Sequence, residues 1–197
     1  MTLRAARTLL PMVLSLVLAA ACTVHFVSDY DEQIDSGLTQ VNTDVTAFVA
    51  KMTDNAGKPA GTYENNKDFY ISEKAKLSTI RVRAEAHRAL NSCPSTAVIS
   101  RAVMASIPSQ PTGGPLPTVT AEQVIAKLPQ DDCGVVLISL IQDAFGDLET
   151  FHAAQGPKGI PASARDPILV GGVGSMIRAA TAVEIAKKAA ATSTGGK

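Results

Sequence analysis

Glu149 and His152 are the two side chains whose types and spacing come closest to a metal-binding motif. Residues three positions apart lie on one face of a helix, so this carboxylate and this imidazole would point in the same direction. Di-iron sites in helical bundles need a second Glu-x-x-His and two further inward glutamates, whereas this sequence has the motif once. We therefore expect a structural His152, a solvated Glu149, and neither a metal nor a cofactor. The alternative is a mononuclear site that joins His152 to His87.

The remaining patterns with catalytic associations do not favour an enzyme. The sequence has no G-x-S-x-G nucleophile motif, and its histidines are His25, His87 and His152. The run from Gly171 to Ser175 lacks the lysine and the preceding strand of a phosphate-binding loop, so close helix packing explains its glycines better. We expect a protein that is not an enzyme.

The first 21 residues have the organisation of a secretory signal peptide. Two arginines give a basic start, an apolar run follows from Leu9, and three alanines precede Cys22. The run is shorter than the stretch of about 20 apolar residues that a membrane-spanning helix needs. We therefore expect residues 1–21 to be removed on export.

Cys22 stands directly after the predicted cleavage site, and Leu18-Ala19-Ala20-Ala21-Cys22 resembles the bacterial lipobox. The resemblance implies acylation of the Cys22 thiol, cleavage before it, and acylation of the new amine. The leucine stands one position early, which leaves ordinary cleavage with a free thiol as the alternative. Thr23 occupies the position where aspartate retains many lipoproteins in the inner membrane. The resemblance therefore implies anchoring in the outer membrane, facing the periplasm.

Cys93 and Cys133 remain as a pair once Cys22 is assigned to lipid. An exported chain folds in an oxidising compartment, where an even number of cysteines favours disulfides. We predict a disulfide between Cys93 and Cys133, with two buried free thiols as the alternative. A metal site is less favoured, because the two cysteines are far apart and lack CxxC or histidine spacing.

The charge balance argues against nucleic acid as a partner. The chain has 18 basic and 18 acidic residues, and loss of Arg4 and Arg7 with the signal peptide lowers the basic count by two. Affinity for nucleic acid comes mostly from clustered lysine and arginine, which a near-neutral chain does not supply. Aromatic residues make up 4% of the chain and tryptophan is absent, so stacking surfaces for bases or sugars are few.

Apolar periodicity predicts helices along the exported part of the chain. The clearest stripe alternates spacings of four and three, and consists of Ile34, Leu38, Val41, Val45, Phe48 and Met52. The predicted principal helices cover 31–55, 67–90, 133–155 and 167–189, and two shorter ones cover 95–104 and 120–128. Asp166 before Pro167 is typical of a helix start.

These stripes predict an all-α protein, an antiparallel four-helix bundle, since no alternation typical of strands is present. Residues 93–133 are predicted to form a helical and loop insertion between the second and third principal helices, closed at its base by the disulfide. The expected organisation is a signal peptide (1–21), a lipidated tether (22–30), a helical bundle (31–189) and a disordered tail (190–197).

Short segments spread over most of the exported chain resemble a group of small helical bacterial lipoproteins of unknown function. They are Tyr30-Asp31, Ile34-Asp35, Phe69-Tyr70, Leu77 to Ala86, Asn91, Leu148-Glu149 with His152, and Ile185 to Lys188. The resemblance implies a helical fold and an envelope location but no chemistry. The chain departs from the group in the 93–133 region.

Two functional hypotheses follow from these patterns. The first is a non-enzymatic scaffold or interaction module, held at the cell envelope by lipid on Cys22, with another envelope protein as its partner. The second is a carrier of a small ligand or metal that uses the bundle core near His87 and His152. The carrier hypothesis predicts that the two histidines converge on a polar cavity, whereas the interaction-module hypothesis predicts that they lie apart.

Overall fold

A computed structural model describes residues 30–88, 93–107, 119–128 and 132–194. Every regular element in these four ranges is helical, which confirms the predicted all-helical fold class. The α-helices in them are α1 (Glu32–Asp54), α2 (Lys67–Arg88), α3 (Thr96–Ser106), α4 (Ala121–Lys127), α5 (Cys133–Gln155) and α6 (Val173–Thr194). The predicted signal peptide and the predicted lipid site at Cys22 lie outside the described residues.

Helix α1 begins and packs as its sequence dictates. Asp31 is the N-cap, and its side chain accepts hydrogen bonds from the backbone N–H groups of Gln33 at 2.8 Å and Ile34 at 3.4 Å. These bonds satisfy donors that the first turn of a helix leaves unpaired. All six apolar residues of the predicted stripe are buried, so one face of α1 lies against the core.

The four long helices are neighbours in a ring, with α1 against α2, α2 against α5, α5 against α6, and α6 against α1. Two ion pairs join α1 and α2. Asp31, the cap at the start of α1, pairs with Arg83 near the end of α2, and Asp44 in the middle of α1 pairs with Lys76 in the middle of α2. The same reversal relates α2 to α5. These two pairs of neighbours therefore run antiparallel, and the antiparallel arrangement of all four together stays a prediction.

Helix α3 belongs to the core rather than to a peripheral insertion. Helix α3 packs against α6, and α4 packs against α3. Ile99 and Val103 of α3 and Val124 of α4 are buried. The predicted insertion, 93–133, thus supplies part of the core, because a helix with an apolar face buries that face against the nearest apolar surface.

The last helix is interrupted where one continuous helix was predicted. A π-helical turn covers Pro167–Gly171, and α6 begins only at Val173. A Cβ atom on Gly174 would lie 2.1 Å from the carbonyl oxygen of Leu169. The chain can therefore pass through this turn only because Gly174 has no side chain.

Arg178 of α6 holds this turn in place. Its guanidinium donates hydrogen bonds to the carbonyl oxygens of Leu169 at 2.8 Å and Val170 at 3.1 Å. It also donates to the carbonyl oxygen of Ser106, at the end of α3, at 3.1 Å. One half-buried side chain thus satisfies carbonyl groups from the turn and from α3, which are groups that helix ends leave without partners.

The C-terminal end of α6 extends further than predicted. The helix continues to Thr194, so the prediction of a disordered tail is wrong for residues 190–194. Alanine has the highest helix propensity, and consecutive alanines over 189–191 prolong the helix. Among the described residues, Ala162–Thr192 is long and apolar enough to cross a membrane, but 67% of its apolar window is buried, as in a core helix.

Candidate functional site

Cys93 and Cys133 are joined by the predicted disulfide, with their α-carbons 6.0 Å apart. Cys93 lies just before α3, and Cys133 is the first residue of α5. The backbone N–H of Cys133 also lies 2.8 Å from Cys93 Sγ. The bond therefore connects the start of α3 to the start of α5, and the Cα separation is usual for a disulfide.

His152 is completely buried, and both nitrogens of its ring are hydrogen-bonded. Nε2 lies 2.9 Å from the carbonyl oxygen of Gly61, and Nδ1 lies 2.9 Å from the hydroxyl oxygen of Tyr70. A carbonyl group can only accept, so Nε2 carries the proton and Nδ1 accepts from the tyrosine. Burial lowers the pKa of His152, which favours the neutral ring.

Glu149 lies one helical turn before His152 and binds other groups. Its Oε1 accepts a hydrogen bond from the Tyr63 hydroxyl at 3.0 Å, and its Oε2 accepts one from the Lys74 ammonium. The carboxylate side chain is 20% exposed, so the expectation of a solvated Glu149 is wrong. The reason is Tyr63, whose ring packs edge-on against His152 and carries its hydroxyl to the carboxylate.

Two loops meet beside His152, and Gly159 allows their close contact. The backbone N–H of Gly57 donates to the carbonyl oxygen of Lys158 at 2.8 Å. Gly159 has a φ of +64°, and a Cβ there would lie 2.5 Å from the carbonyl oxygen of Gly61. The hydrogen bond from His152 to Gly61 thus fixes the loop after α1 to the end of α5.

His87 lies at the other end of the long helices. It is in the last turn of α2, where its Nε2 lies 2.8 Å from a carboxylate oxygen of Asp31. Tyr70, which binds His152, is 17 residues earlier on the same helix, a distance of about 25 Å along the axis. The two histidines do not converge, so the alternative of one site formed by both is wrong.

The described ranges contain no group of three or more histidine, cysteine, aspartate and glutamate side chains placed to hold a metal ion. In the predicted pair, both ring nitrogens of His152 and both carboxylate oxygens of Glu149 already bind protein groups. Glu149 and His152 lie on one face of α5, as predicted, but each side chain makes hydrogen bonds within the fold. That no metal binds stays a prediction.

Glu184 and Lys187 form a buried ion pair at the same end as His87. They are 2% and 9% exposed, and Lys187 Nζ lies 2.7 Å from Glu184 Oε1. The second carboxylate oxygen of Glu184 has no hydrogen-bond partner among the described residues, and burial raises the pKa of the group. Sequence reasoning missed this pair. The available signal was two opposite charges one helical turn apart inside an otherwise small and apolar stretch of helix.

Glu73 is a second buried carboxylate that sequence reasoning missed. It is 2% exposed, and one of its oxygens lies 2.6 Å from Lys76 Nζ, which also lies 2.7 Å from Asp44. Its Oε2 finds no hydrogen-bond partner among the described residues, and burial raises the pKa of the group. Lys76 thus ties α2 to α1 while the carboxylate beside it stays only half satisfied.

A partly enclosed cavity of about 200 Å³ lies between α4, α5 and the start of α6. Apolar side chains form most of its wall, among them Val124, Leu148, Ile168, Val173 and Met176. Three exposed charged residues also line it, Asp143 and Asp147 on α5 and Lys127 on α4. The cavity is large enough for a small apolar group, and the two neighbouring carboxylates would favour a cationic one.

No protein-family model, curated protein or solved structure matches this chain. The resemblance to small helical lipoproteins rests on the short segments quoted above.

Proposed function

We propose that this protein is a lipid-anchored, non-enzymatic interaction module of the bacterial cell envelope. The observation that carries the proposal is that His152, Glu149 and His87 each bind groups of the fold itself. The described surface offers exposed apolar side chains on helices instead, including Ile71 and Val82. Such side chains suit contact with another protein surface, so the proposed partner is a protein of the envelope and not nucleic acid.

The proposed anchor is lipid on Cys22, and the proposed location is the outer membrane, facing the periplasm. Support comes from the signal organisation of residues 1–21, the lipobox resemblance and Thr23. The chain from Cys22 to Tyr30, the first described residue, spans at most about 28 Å when extended. An anchored bundle would therefore stay close to the membrane surface.

Cys22→Ser is expected to release the protein from the membrane fraction into the soluble periplasm, or to leave it as uncleaved precursor. Several acyl chains hold a lipoprotein firmly in the membrane, because each buried methylene contributes ~0.8 kcal/mol. Serine lacks the thiol on which this acylation begins. Membrane fractionation and mass spectrometry of the N-terminal peptide measure both outcomes. Thr23→Ser is the matched control and should remain membrane-bound. Normal maturation of Cys22→Ser with unchanged fractionation would remove the anchor from the proposal.

The second candidate function is the carriage of a small ligand. The observation that favours this function is the cavity beside α4, and not the positions of the histidines. The chemistry of its wall fits a small apolar amine such as phenethylamine. We expect Ala144→Leu, which fills the cavity, to weaken binding of this probe at least tenfold, as measured by chemical-shift titration. Asp143→Asn should weaken it less, and Asp68→Asn on α2 should leave it unchanged. Equal shifts in all three variants would exclude the cavity as the binding site.

A further inference from the structure

The mouth of the cavity beside α4 carries charges that the described part of the chain leaves without counter-charges. Asp143 and Asp147 lie one helical turn apart on α5, and both are exposed. Among the described residues no ion pair includes either carboxylate, and none includes Lys127 on the α4 side. Like charges four positions apart destabilise a helix, and positions in the middle of a helix gain nothing from its dipole. A cation bound at this mouth would therefore relieve a repulsion that the fold itself does not.

The inner wall of the cavity is fixed by hydrogen bonds that need no ligand. Part of this wall is the π-helical turn together with the residues that directly follow it. The Arg178 guanidinium holds two carbonyl groups of the turn, and the backbone N–H of Val119 donates to the carbonyl oxygen of Gly171 at 3.2 Å. Val119 also lines the cavity. The cavity is therefore preformed, and a preformed pocket loses less conformational entropy when a ligand enters it.

The positions of the charges require a ligand that extends beyond the cavity. A cavity of about 150 Å³ holds a benzene ring, so the roughly 200 Å³ of this one accommodates a single large apolar side chain. The two carboxylates lie outside, at the mouth, with their β-carbons about 6 Å apart. One ligand can fill the cavity and also reach both carboxylates only if it continues out of the cavity along α5. A segment of polypeptide does so, and its backbone carbonyl groups can accept hydrogen bonds from the Lys127 ammonium.

We propose that the partner of this interaction module docks at the cavity, inserts one large apolar side chain, and places a lysine or arginine of the same segment beside Asp143 and Asp147. The inference rests on the proposed function and names the site and the chemistry by which the partner is recognised. The apolar side chain supplies most of the affinity, as anchor residues in interface pockets do. The carboxylates supply the selectivity, because they attract a basic segment and repel an acidic one.

Short peptides in a chemical-shift titration test the site and its charge preference. The probe is acetyl-Lys-Phe-Lys-amide, and the matched controls are acetyl-Glu-Phe-Glu-amide and acetyl-Lys-Ala-Lys-amide, each added to the full chain carrying Cys22→Ser. We expect the probe to bind at least tenfold more tightly than either control, with its largest shifts at residues that line the cavity. The acidic control meets the carboxylates with the wrong sign, and the alanine control leaves the cavity empty. Equal affinities of the three peptides would overturn the proposal.

Two variants separate the charges from the cavity. Asp143→Asn with Asp147→Asn in one chain should reduce the preference for the basic over the acidic peptide to less than threefold. The same change should raise the Tm by about 1 °C, because it removes the repulsion between the two carboxylates. Ala144→Leu should weaken binding of the probe at least tenfold, and Asp54→Asn with Asp68→Asn, two exposed carboxylates outside the mouth, should change neither affinity. An unchanged preference in the first variant, or a lower Tm, would overturn the role of the carboxylates.

Phenethylamine distinguishes a site for a protein segment from a site for a free amine. It has the ring of phenylalanine and one ammonium group but no backbone, so we expect it to bind at least tenfold more weakly than the probe. Equal affinity would assign the cavity to a small amine, and the same shifts on raising the protein concentration without peptide would assign it to a second copy of the chain. Either result would overturn the proposal.

The anchor and the docking site can fail separately. If no peptide binds while Cys22→Ser still releases the chain from the membrane, the anchored module stands and this docking site is wrong. If the probe binds as expected while Cys22→Ser matures and fractionates as the wild type does, the docking site stands and the anchor is wrong.

Discussion

His152→Ala should lower the free energy of unfolding by about 4 kcal/mol, the largest loss we expect from a single substitution. The imidazole is completely buried, so its removal leaves a cavity in the core. It also leaves the Tyr70 hydroxyl and the Gly61 carbonyl oxygen without the partners they have in the native protein. Chemical denaturation followed by circular dichroism measures the loss.

Two variants separate the contributions of the ring. Tyr70→Phe removes one hydrogen bond without a cavity and should cost about 1–3 kcal/mol, because Nδ1 is then buried without a donor. His87→Ala removes an equally sized ring from the partly exposed pair with Asp31 and should cost about 1 kcal/mol or less. A loss below 1 kcal/mol in His152→Ala would show that the loops beside it do not depend on this ring.

The pH dependence of stability provides an independent measurement on His152. Burial lowers the pKa of this histidine in the folded protein. Below the ordinary histidine pKa of about 6.5 the unfolded chain therefore binds a proton that the folded protein does not, and stability falls as pH falls. For one titrating group, the free energy of unfolding cannot change by more than about 1.4 kcal/mol per pH unit. Glu73 and Glu184 have raised pKa values and act in the opposite direction, so the wild type must be compared with His152→Gln. The variant should lose the downward slope between pH 6.5 and 5.

Replacing both Cys93 and Cys133 by serine should lower the free energy of unfolding by up to about 4 kcal/mol. The disulfide closes a loop across a sequence separation of 40, and its removal restores conformational freedom mainly to the unfolded chain. Most of the helical signal should persist at 25 °C, because Ile99 and Val103 hold α3 against α6 by apolar burial. Denaturation curves with and without reductant, and for the double variant, provide the measurement.

Reduction of the wild type should reproduce the stability of the double variant within experimental error. Hydrogen exchange in α3 should accelerate only as far as the global loss requires, since its packing does not depend on the crosslink. A free-thiol count of two in the oxidised protein would contradict the bond. Loss of the whole helical signal on reduction would contradict the expectation that the core persists without the disulfide.

Local patterns were sufficient to predict the long helices at the start and centre of the chain. Helix α1 agrees with its prediction to within one residue at each end, and α5 agrees at both ends, because periodicity and end signals coincide there. The disulfide was also predicted, because an even pair of cysteines in a chain that is expected to be exported leaves few alternatives.

Contacts between distant parts of the chain could not be predicted from such patterns. Tyr63 reaches Glu149 across 86 residues, and only the packing of the loop after α1 against α5 brings them together. The turn before α6 depends on a close approach at Gly174, which in the sequence is one glycine among several. Glu184 and Lys187 have the spacing of an ordinary surface pair, and their burial follows from the packing of neighbouring helices around them.

The first described residue, Tyr30, and the last turns of α6 lie at the same end of the bundle. The Lys188 ammonium near the end of α6 lies 5.0 Å from the centre of the Tyr30 ring, at the start of the described chain. The far end of the bundle, with the loop after α1, lies roughly the 33 Å length of α2 away. A tether of at most about 28 Å cannot reach along the side of the bundle to that end. A bundle anchored through Cys22, as proposed, therefore keeps its Asp31 and His87 end next to the membrane at any tilt of its helices.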